Sequence, residues 1–165
     1  MDKPPIAEQK VTVMLAGPGH ETVFYQMQPP FLSDARFVIS TYATQWSNFE
    51  QNLSQMRPDL VVVQVEVAPG PEALIQVLAE IQVWRGVAIL ILPPAIRDLR
   101  AQFENAAIVR GVYIAPVNWG EIAQAGYAAV ITERAKAAAT APMQQAYLSR
   151  PAGAIIGTRV VAFVS

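Results

Sequence analysis

Residues 60–65 of this sequence read Leu-Val-Val-Val-Gln-Val, and residues 87–92 read Val-Ala-Ile-Leu-Ile-Leu. Short runs that are almost entirely aliphatic are typical of strands in a parallel sheet, because helices cover both faces of such a sheet. Residues 11–16, 37–41 and 111–114 also have the character of strands. The sequence therefore predicts five strands, and it predicts that the two aliphatic runs are covered on both faces.

Segments with helical spacing lie between the predicted strands. Apolar residues recur every three or four positions in three of them. These three stripes are Phe49, Leu53 and Met56; Leu74, Val77, Leu78 and Ile81; and Ile96, Leu99 and Phe103. A short helix is expected within residues 21–32, where Pro29-Pro30 must end or interrupt it. A longer helix is expected from Trp119 to about Ala138.

The alternation of five strands with helices defines the predicted fold. Right-handed crossovers restrict such a chain to a doubly wound α/β fold, and the five-stranded parallel sheet is expected in the flavodoxin-like order 2-1-3-4-5. Residues 1–138 are predicted to form this domain. Residues 139–157, rich in alanine, proline and glycine, are predicted to be a linker, and residues 158–165 are predicted to begin a new strand.

Composition excludes several classes of function. The 12 basic and 13 acidic residues do not run in blocks, so the charge pattern of a nucleic-acid binder is missing. The longest aliphatic runs fall far short of the roughly 20 residues that a membrane-spanning helix needs. The chain has no cysteine, and its amino-terminal residues do not look like a secretory signal, so the cytoplasm is the expected location.

Ligands of doubly wound sheets bind outside the carboxyl ends of the strands, so the residues at those ends decide the chemistry. Gly17-Pro18-Gly19-His20 follows the first strand. Its glycines could approach a phosphate, but the GxGxxG fingerprint is incomplete and Pro18 has no amide donor, so a tight turn is favoured.

His20 is the only histidine, and a solvated loop histidine is favoured over a catalytic or ligating one.

The remaining strand ends offer little chemistry. Gln64 and Glu66 share a face at the end of the third strand, and one carboxylate does not make a metal site. The fourth strand leads into Pro93-Pro94 and the fifth into Ala115-Pro116, which supply neither a nucleophile nor a charge. No catalytic residue, metal, cofactor or small-molecule substrate is therefore expected, and the protein is not expected to be an enzyme.

Over residues 11–138 the sequence resembles the CheY-like receiver domains of two-component response regulators. The resemblance lies in the strand order, in the segment Pro58-Asp59-Leu60-Val61-Val62-Val63 and in the Ala115-Pro116 turn. In that family an acidic pair after the first strand binds Mg²⁺. The resemblance places Gly17 and Pro18 at that pair, Gln64 at the phosphoacceptor aspartate, Leu92 at the switch serine or threonine, and Ala115 at the lysine.

These replacements imply a pseudo-receiver, a regulatory module that is not phosphorylated and that binds a partner protein or forms a homodimer. The possible interaction face consists of Phe103, Tyr113, Trp119, Ile122, Tyr127 and Val130. For the four of these residues on the last helix, simple packing on the sheet is favoured. One alternative is a receiver that responds to a kinase through an unrecognised acceptor. Another is a small-molecule binder that uses the turn at residues 17–20.

A second resemblance concerns the end of the sequence. Residues 157–165, Gly-Thr-Arg-Val-Val-Ala-Phe-Val-Ser, are similar to the strand that enters the Walker-type loop of ParA/MinD-like ATPases. A pseudo-receiver, a linker and such an ATPase form the layout of the pilus-assembly localisation proteins called TadZ or CpaE. This resemblance implies that residues 158–165 are the first strand of a truncated P-loop ATPase domain in a longer protein.

Overall fold

Five parallel strands form one sheet in the computed structural model, which describes residues 9–148 of the chain. The strands are β1 (Val11–Ala16), β2 (Phe37–Ala43), β3 (Leu60–Gln64), β4 (Val87–Leu92) and β5 (Val109–Ile114). Their order in the sheet is β2-β1-β3-β4-β5, and every neighbouring pair is parallel. This arrangement confirms the predicted doubly wound α/β fold of flavodoxin-like order.

Helical segments connect the strands. The α-helices are α1 (Gln28–Leu32), α2 (Trp46–Met56), α3 (Pro71–Leu78), α4 (Arg100–Glu104) and α5 (Trp119–Leu148). A π-helical segment, Glu21–Met27, precedes α1, and 3₁₀ segments occupy Val65–Val67, Ala79–Trp84 and Pro94–Leu99. Within residues 9–148, every helix is too short or too polar to cross a membrane.

The chain divides into two compact units, residues 1–130 and residues 131–165. The first unit contains the sheet and helices α1–α4. Helix α5 was expected to end near Ala138 but continues to Leu148, so the first ten residues of the predicted linker 139–157 are helical. The rest of that linker and the predicted strand 158–165 lie outside the described residues, and the domain division stays a prediction.

The predicted double coverage of the two aliphatic strands is confirmed. Every residue of β4 and the first four residues of β3 are at most 2% exposed, because helices pack on both faces of the sheet. At Gly126, in α5, a Cβ atom would lie only 2.6 Å from Cδ2 of Leu60 and 3.5 Å from Cδ1 of Ile89. A glycine at this position therefore lets α5 approach the sheet closely.

Pro29 and Pro30 lie within the helical segment that the sequence left uncertain. The π-helical turns end at Met27, and both prolines occupy the first turn of α1. At that position a missing N–H costs little, because the first backbone amides of an α-helix have no partner within it. The prolines therefore interrupt the π-helical segment, as expected, without preventing a helical course as far as Leu32.

Asp59 fixes the amino-terminal end of β3 against both of its neighbours. Its carboxylate Oδ2 accepts hydrogen bonds from the backbone N–H of Thr12 (3.0 Å) and from the Thr12 hydroxyl (3.1 Å). The same hydroxyl oxygen accepts the N–H of Asp59 at 2.9 Å, and the Asp59 carbonyl accepts the N–H of Val87 at 3.0 Å. Asp59 thus links β1, β3 and β4 before the sheet ladder begins.

An ion pair and an aromatic ring support the turn before β2. Arg36 donates hydrogen bonds to both carboxylate oxygens of Asp34, and its guanidinium carbon lies 4.1 Å from the ring centre of Tyr127 in α5. The hydrogen bonds from Arg36 lower the pKa of the Asp34 carboxyl, against the opposing effect of burial. The pair therefore favours the ionised form of Asp34.

We expect Thr12→Val to lower the free energy of unfolding by about 1–3 kcal/mol, because it removes a hydrogen bond to a charged group and keeps the side-chain shape. Urea denaturation measures this change. Thr132→Val, at an exposed position of α5, is the matched control and should stay within about 0.5 kcal/mol of the parent. Equal effects of the two substitutions would contradict the role of Asp59.

Candidate functional site

The carboxyl ends of the strands bring the five degenerate receiver positions to one edge of the sheet. Gln64 ends β3 and pairs in register with Ile91, while Leu92 ends β4 and pairs with Ile114. Ala115 follows β5, and its N–H donates to the carbonyl of Leu92 at 2.8 Å. Gly17 and Pro18 follow β1, which pairs with both β2 and β3. The five positions therefore lie at one edge of the sheet, and their functional role stays a prediction.

Gln64 is the only polar residue in the buried part of residues 9–148, with 9% of its surface exposed. Its carboxamide lies against Gly17, where a Cβ atom would stand 3.1 Å from Oε1 of Gln64 and 3.2 Å from Cγ2 of Val23. A larger residue at position 17 would push the carboxamide away. Gly17 is therefore the small residue that makes room for Gln64. The glycine in the sequence did not by itself predict this contact.

No group among residues 9–148 forms a hydrogen bond with the Gln64 side chain. A carboxamide has two N–H donors and an oxygen with two lone pairs, and buried groups of this kind are normally paired. The residue instead lines an open cleft.

The cleft has a volume of about 210 Å³ and lies between the π-helical segment, the end of β3 and the start of α5. Its lining residues combine polar and apolar chemistry and are Thr22, Gln26, Gln64, Glu66, Ile91, Ala115, Pro116, Val117 and Trp119. Glu66 is the one charged residue in this set. Of the degenerate receiver positions, Gln64 and Ala115 line the cleft, whereas Leu92 is fully buried.

The polar cleft residues that sequence reasoning missed are Thr22 and Gln26. They are four residues apart in the π-helical segment, a spacing that places both on one side of a helix. Trp119, which belongs to the possible interaction face, also lines the cleft at the start of α5. The peptide bond between Ala115 and Pro116, beside it, is cis.

The groups at this edge differ from the acidic residues that the receiver resemblance implies. Gly17 and Pro18 carry no carboxylate, and the Gln64 carboxamide is neutral and weakly nucleophilic. Among residues 9–148, no three histidine, cysteine, aspartate or glutamate side chains form a group that could hold a metal ion. Glu66, the carboxylate at this edge, is exposed and lies in the 3₁₀ turn two residues beyond Gln64.

The turn at residues 17–20, which the small-molecule alternative uses, is exposed at Pro18 and His20. His20 is exposed, as expected of a loop histidine, and its ring stacks on Phe24 with centroids 5.4 Å apart. Pro18 is exposed, and Gly19 has open space around its α-carbon. None of residues 17–20 lines the cleft at Gln64.

Most residues of the possible interaction face are buried within this chain. Phe103 of α4 and Ile122, Tyr127 and Val130 of α5 are at most 6% exposed. Only Tyr113 and Trp119 are partly exposed. The apolar stripe of α5 covers the sheet of its own chain. Self-association through this face stays a prediction, and Tyr113 and Trp119 are the residues that remain accessible for it.

Comparison with solved structures identifies the fold. The chain is similar to a signal receiver domain from Vibrio parahaemolyticus, with a TM-score of 0.66, 11% identity and coverage of 79% of this chain and 97% of that one. It is also similar to the signal receiver domain of an HD domain-containing protein from Pseudomonas fluorescens Pf-5, with a TM-score of 0.62, 19% identity and coverage of 77% and 99%.

A third similar structure is the signal receiver domain of a modulated diguanylate cyclase from Desulfovibrio desulfuricans G20, with a TM-score of 0.64, 11% identity and coverage of 78% and 99%. The sequence matches no family model and no curated protein. The chain therefore has the fold of CheY-like signal receiver domains. Identities this low establish the fold alone.

We expect Gln64→Met to raise the free energy of unfolding by about 1 kcal/mol, because it replaces a buried, unpaired carboxamide with an apolar chain of similar size. Urea denaturation measures the difference. Gln76→Met, at an exposed position of α3, is the matched control and should have little effect. Destabilisation by Gln64→Met alone would show that the amide makes a stabilising hydrogen bond.

Proposed function

We propose that this chain is a receiver-like regulatory domain of signal transduction that is not switched by phosphorylation and has no catalytic activity. The observation that carries the proposal is a receiver fold whose carboxyl edge holds Gln64, Gly17 and Pro18 in place of acidic residues. In the receiver resemblance these positions supply the phosphoacceptor and the Mg²⁺ ligands. A domain of this kind acts by binding a partner protein or a second copy of itself.

The chemistry of phosphoryl transfer supports this proposal on two grounds. An acceptor must present a nucleophilic oxygen, and the Gln64 carboxamide does not. A divalent cation must also neutralise the charge that develops on the transferred group, and it prefers carboxylate ligands. Both the acceptor and the cation ligands are replaced by residues without charge. A substitution that restored only the acceptor would still leave the chain without ligands for the cation, and the reverse also holds.

Glu66 favours one alternative, a receiver that responds to a kinase through an unrecognised acceptor. Its exposed carboxylate lines the cleft that Gln64 also lines. An acyl phosphate at Glu66 would still lack an acidic pair for Mg²⁺, because Gly17 and Pro18 stand at those positions. Labelling experiments separate this alternative from the main proposal, since only the alternative requires a covalent adduct.

We further propose that this domain belongs to a protein that localises pilus assembly. The similarity of residues 157–165 to the strand before a Walker-type loop supports a place at the amino terminus of a ParA/MinD-like ATPase of the TadZ or CpaE type. These residues lie outside the described range. A GK[ST]-type loop directly after Ser165 in the native protein would support this layout, and a different continuation would exclude it.

We expect acetyl phosphate with Mg²⁺ to add no phosphoryl group to the chain, and beryllofluoride with Mg²⁺ to leave its melting temperature unchanged. Intact-mass spectrometry and thermal denaturation measure the two outcomes. A conventional receiver domain treated in parallel is the positive control. A phosphorylated species that Glu66→Gln abolishes would establish the alternative acceptor, and Mg²⁺-dependent stabilisation by beryllofluoride would contradict the main proposal.

A further inference from the structure

The cleft at Gln64 has the features of a binding site for a small molecule. A polar side chain more than nine-tenths buried lines a space of about 210 Å³, and no group in residues 9–148 takes up its hydrogen-bonding capacity. Burying a carboxamide without a partner is costly. A ligand that accepts from its N–H groups or donates to Oε1 would offset that cost.

The charges around the cleft favour a ligand that is not an anion. Its lining set contains one carboxylate, at Glu66, and no lysine, arginine or histidine. An anion such as a phosphate would therefore meet a negative charge and no compensating positive one. A cation or a strong N–H donor would instead pair with the carboxylate of Glu66, and a hydrogen bond with one charged partner is stronger than a neutral one.

The apolar part of the lining selects the shape of the ligand. Trp119 supplies an indole ring, and Ile91, Pro116 and Val117 complete an apolar wall. Flat rings gain area and favourable geometry against such surfaces, and the face of an indole also attracts cations. The amides of Gln26 and Gln64 and the hydroxyl of Thr22 are the polar groups that would fix its orientation.

We infer that this cleft binds a small cation with a flat apolar body, such as an aromatic amidine, guanidine or amine, and that the molecule is held without being converted. The ligand would occupy the edge at which receiver domains carry their phosphorylation chemistry. This inference goes beyond the proposed function, because binding to a partner protein requires no ligand in the cleft. The two ideas are tested by separate experiments.

Benzamidine is the probe, because it joins a planar amidinium to a single aromatic ring. Titration of the ¹⁵N-labelled chain should give saturable shifts of the Gln26 and Gln64 side-chain amides, with a Kd on the order of 1 mM for a ligand of this size. Benzoate has the same shape and the opposite charge, and it should give no saturable shifts. Neutral benzamide should bind several-fold more weakly than benzamidine.

Two substitutions locate the binding. Glu66→Gln removes the charge at an exposed position and should weaken benzamidine binding at least fivefold, whereas Glu80→Gln, an exposed residue outside the cleft, should leave it unchanged. Gln64→Met should also weaken binding in a chain that remains folded by circular dichroism. The inference is wrong if benzamidine gives no saturable shifts up to about 10 mM, if benzoate binds equally well, or if Glu66→Gln has no effect.

Discussion

The placement of β3 between β1 and β4 is the constraint on which the rest of the structure depends. Its first four side chains are fully buried, so the strand tolerates only apolar residues over that length. A slip of one residue would turn each side chain to the opposite face of the sheet. Asp59 opposes such a slip, because its carboxylate binds Thr12 of β1 and its carbonyl binds Val87 of β4.

The same register determines what the carboxyl edge of the sheet can do. It places Gln64 beside Gly17, and the absence of a side chain at Gly17 gives the carboxamide its position. The chain thus combines the fold of a receiver domain with a neutral amide at the end of β3. The polar and apolar groups at that edge instead surround a cleft with a single negative charge.

Local sequence patterns accounted for the strands and for the edge where function was expected, because aliphatic runs and strand ends are local features. They could not decide between two roles for the apolar stripe of α5. Ile122 and Tyr127 have the same spacing whether they cover their own sheet or a partner, and the structure shows that they cover their own sheet. The cleft was also hidden, since Gln26, Gln64 and Trp119 come together only through the fold.

We propose that the carboxyl edge of the sheet retains the geometry of a receiver domain and lacks only its reactive groups. The most direct test combines Gly17→Asp, Pro18→Asp, Gln64→Asp and Ala115→Lys, where the shorter side chain at position 64 makes room beside position 17. We expect this folded variant to gain Mg²⁺-dependent stabilisation by beryllofluoride, measured as a rise in melting temperature that the parent chain lacks. If a variant with native-like circular dichroism shows no such rise, more than the reactive groups is missing and the proposal is wrong.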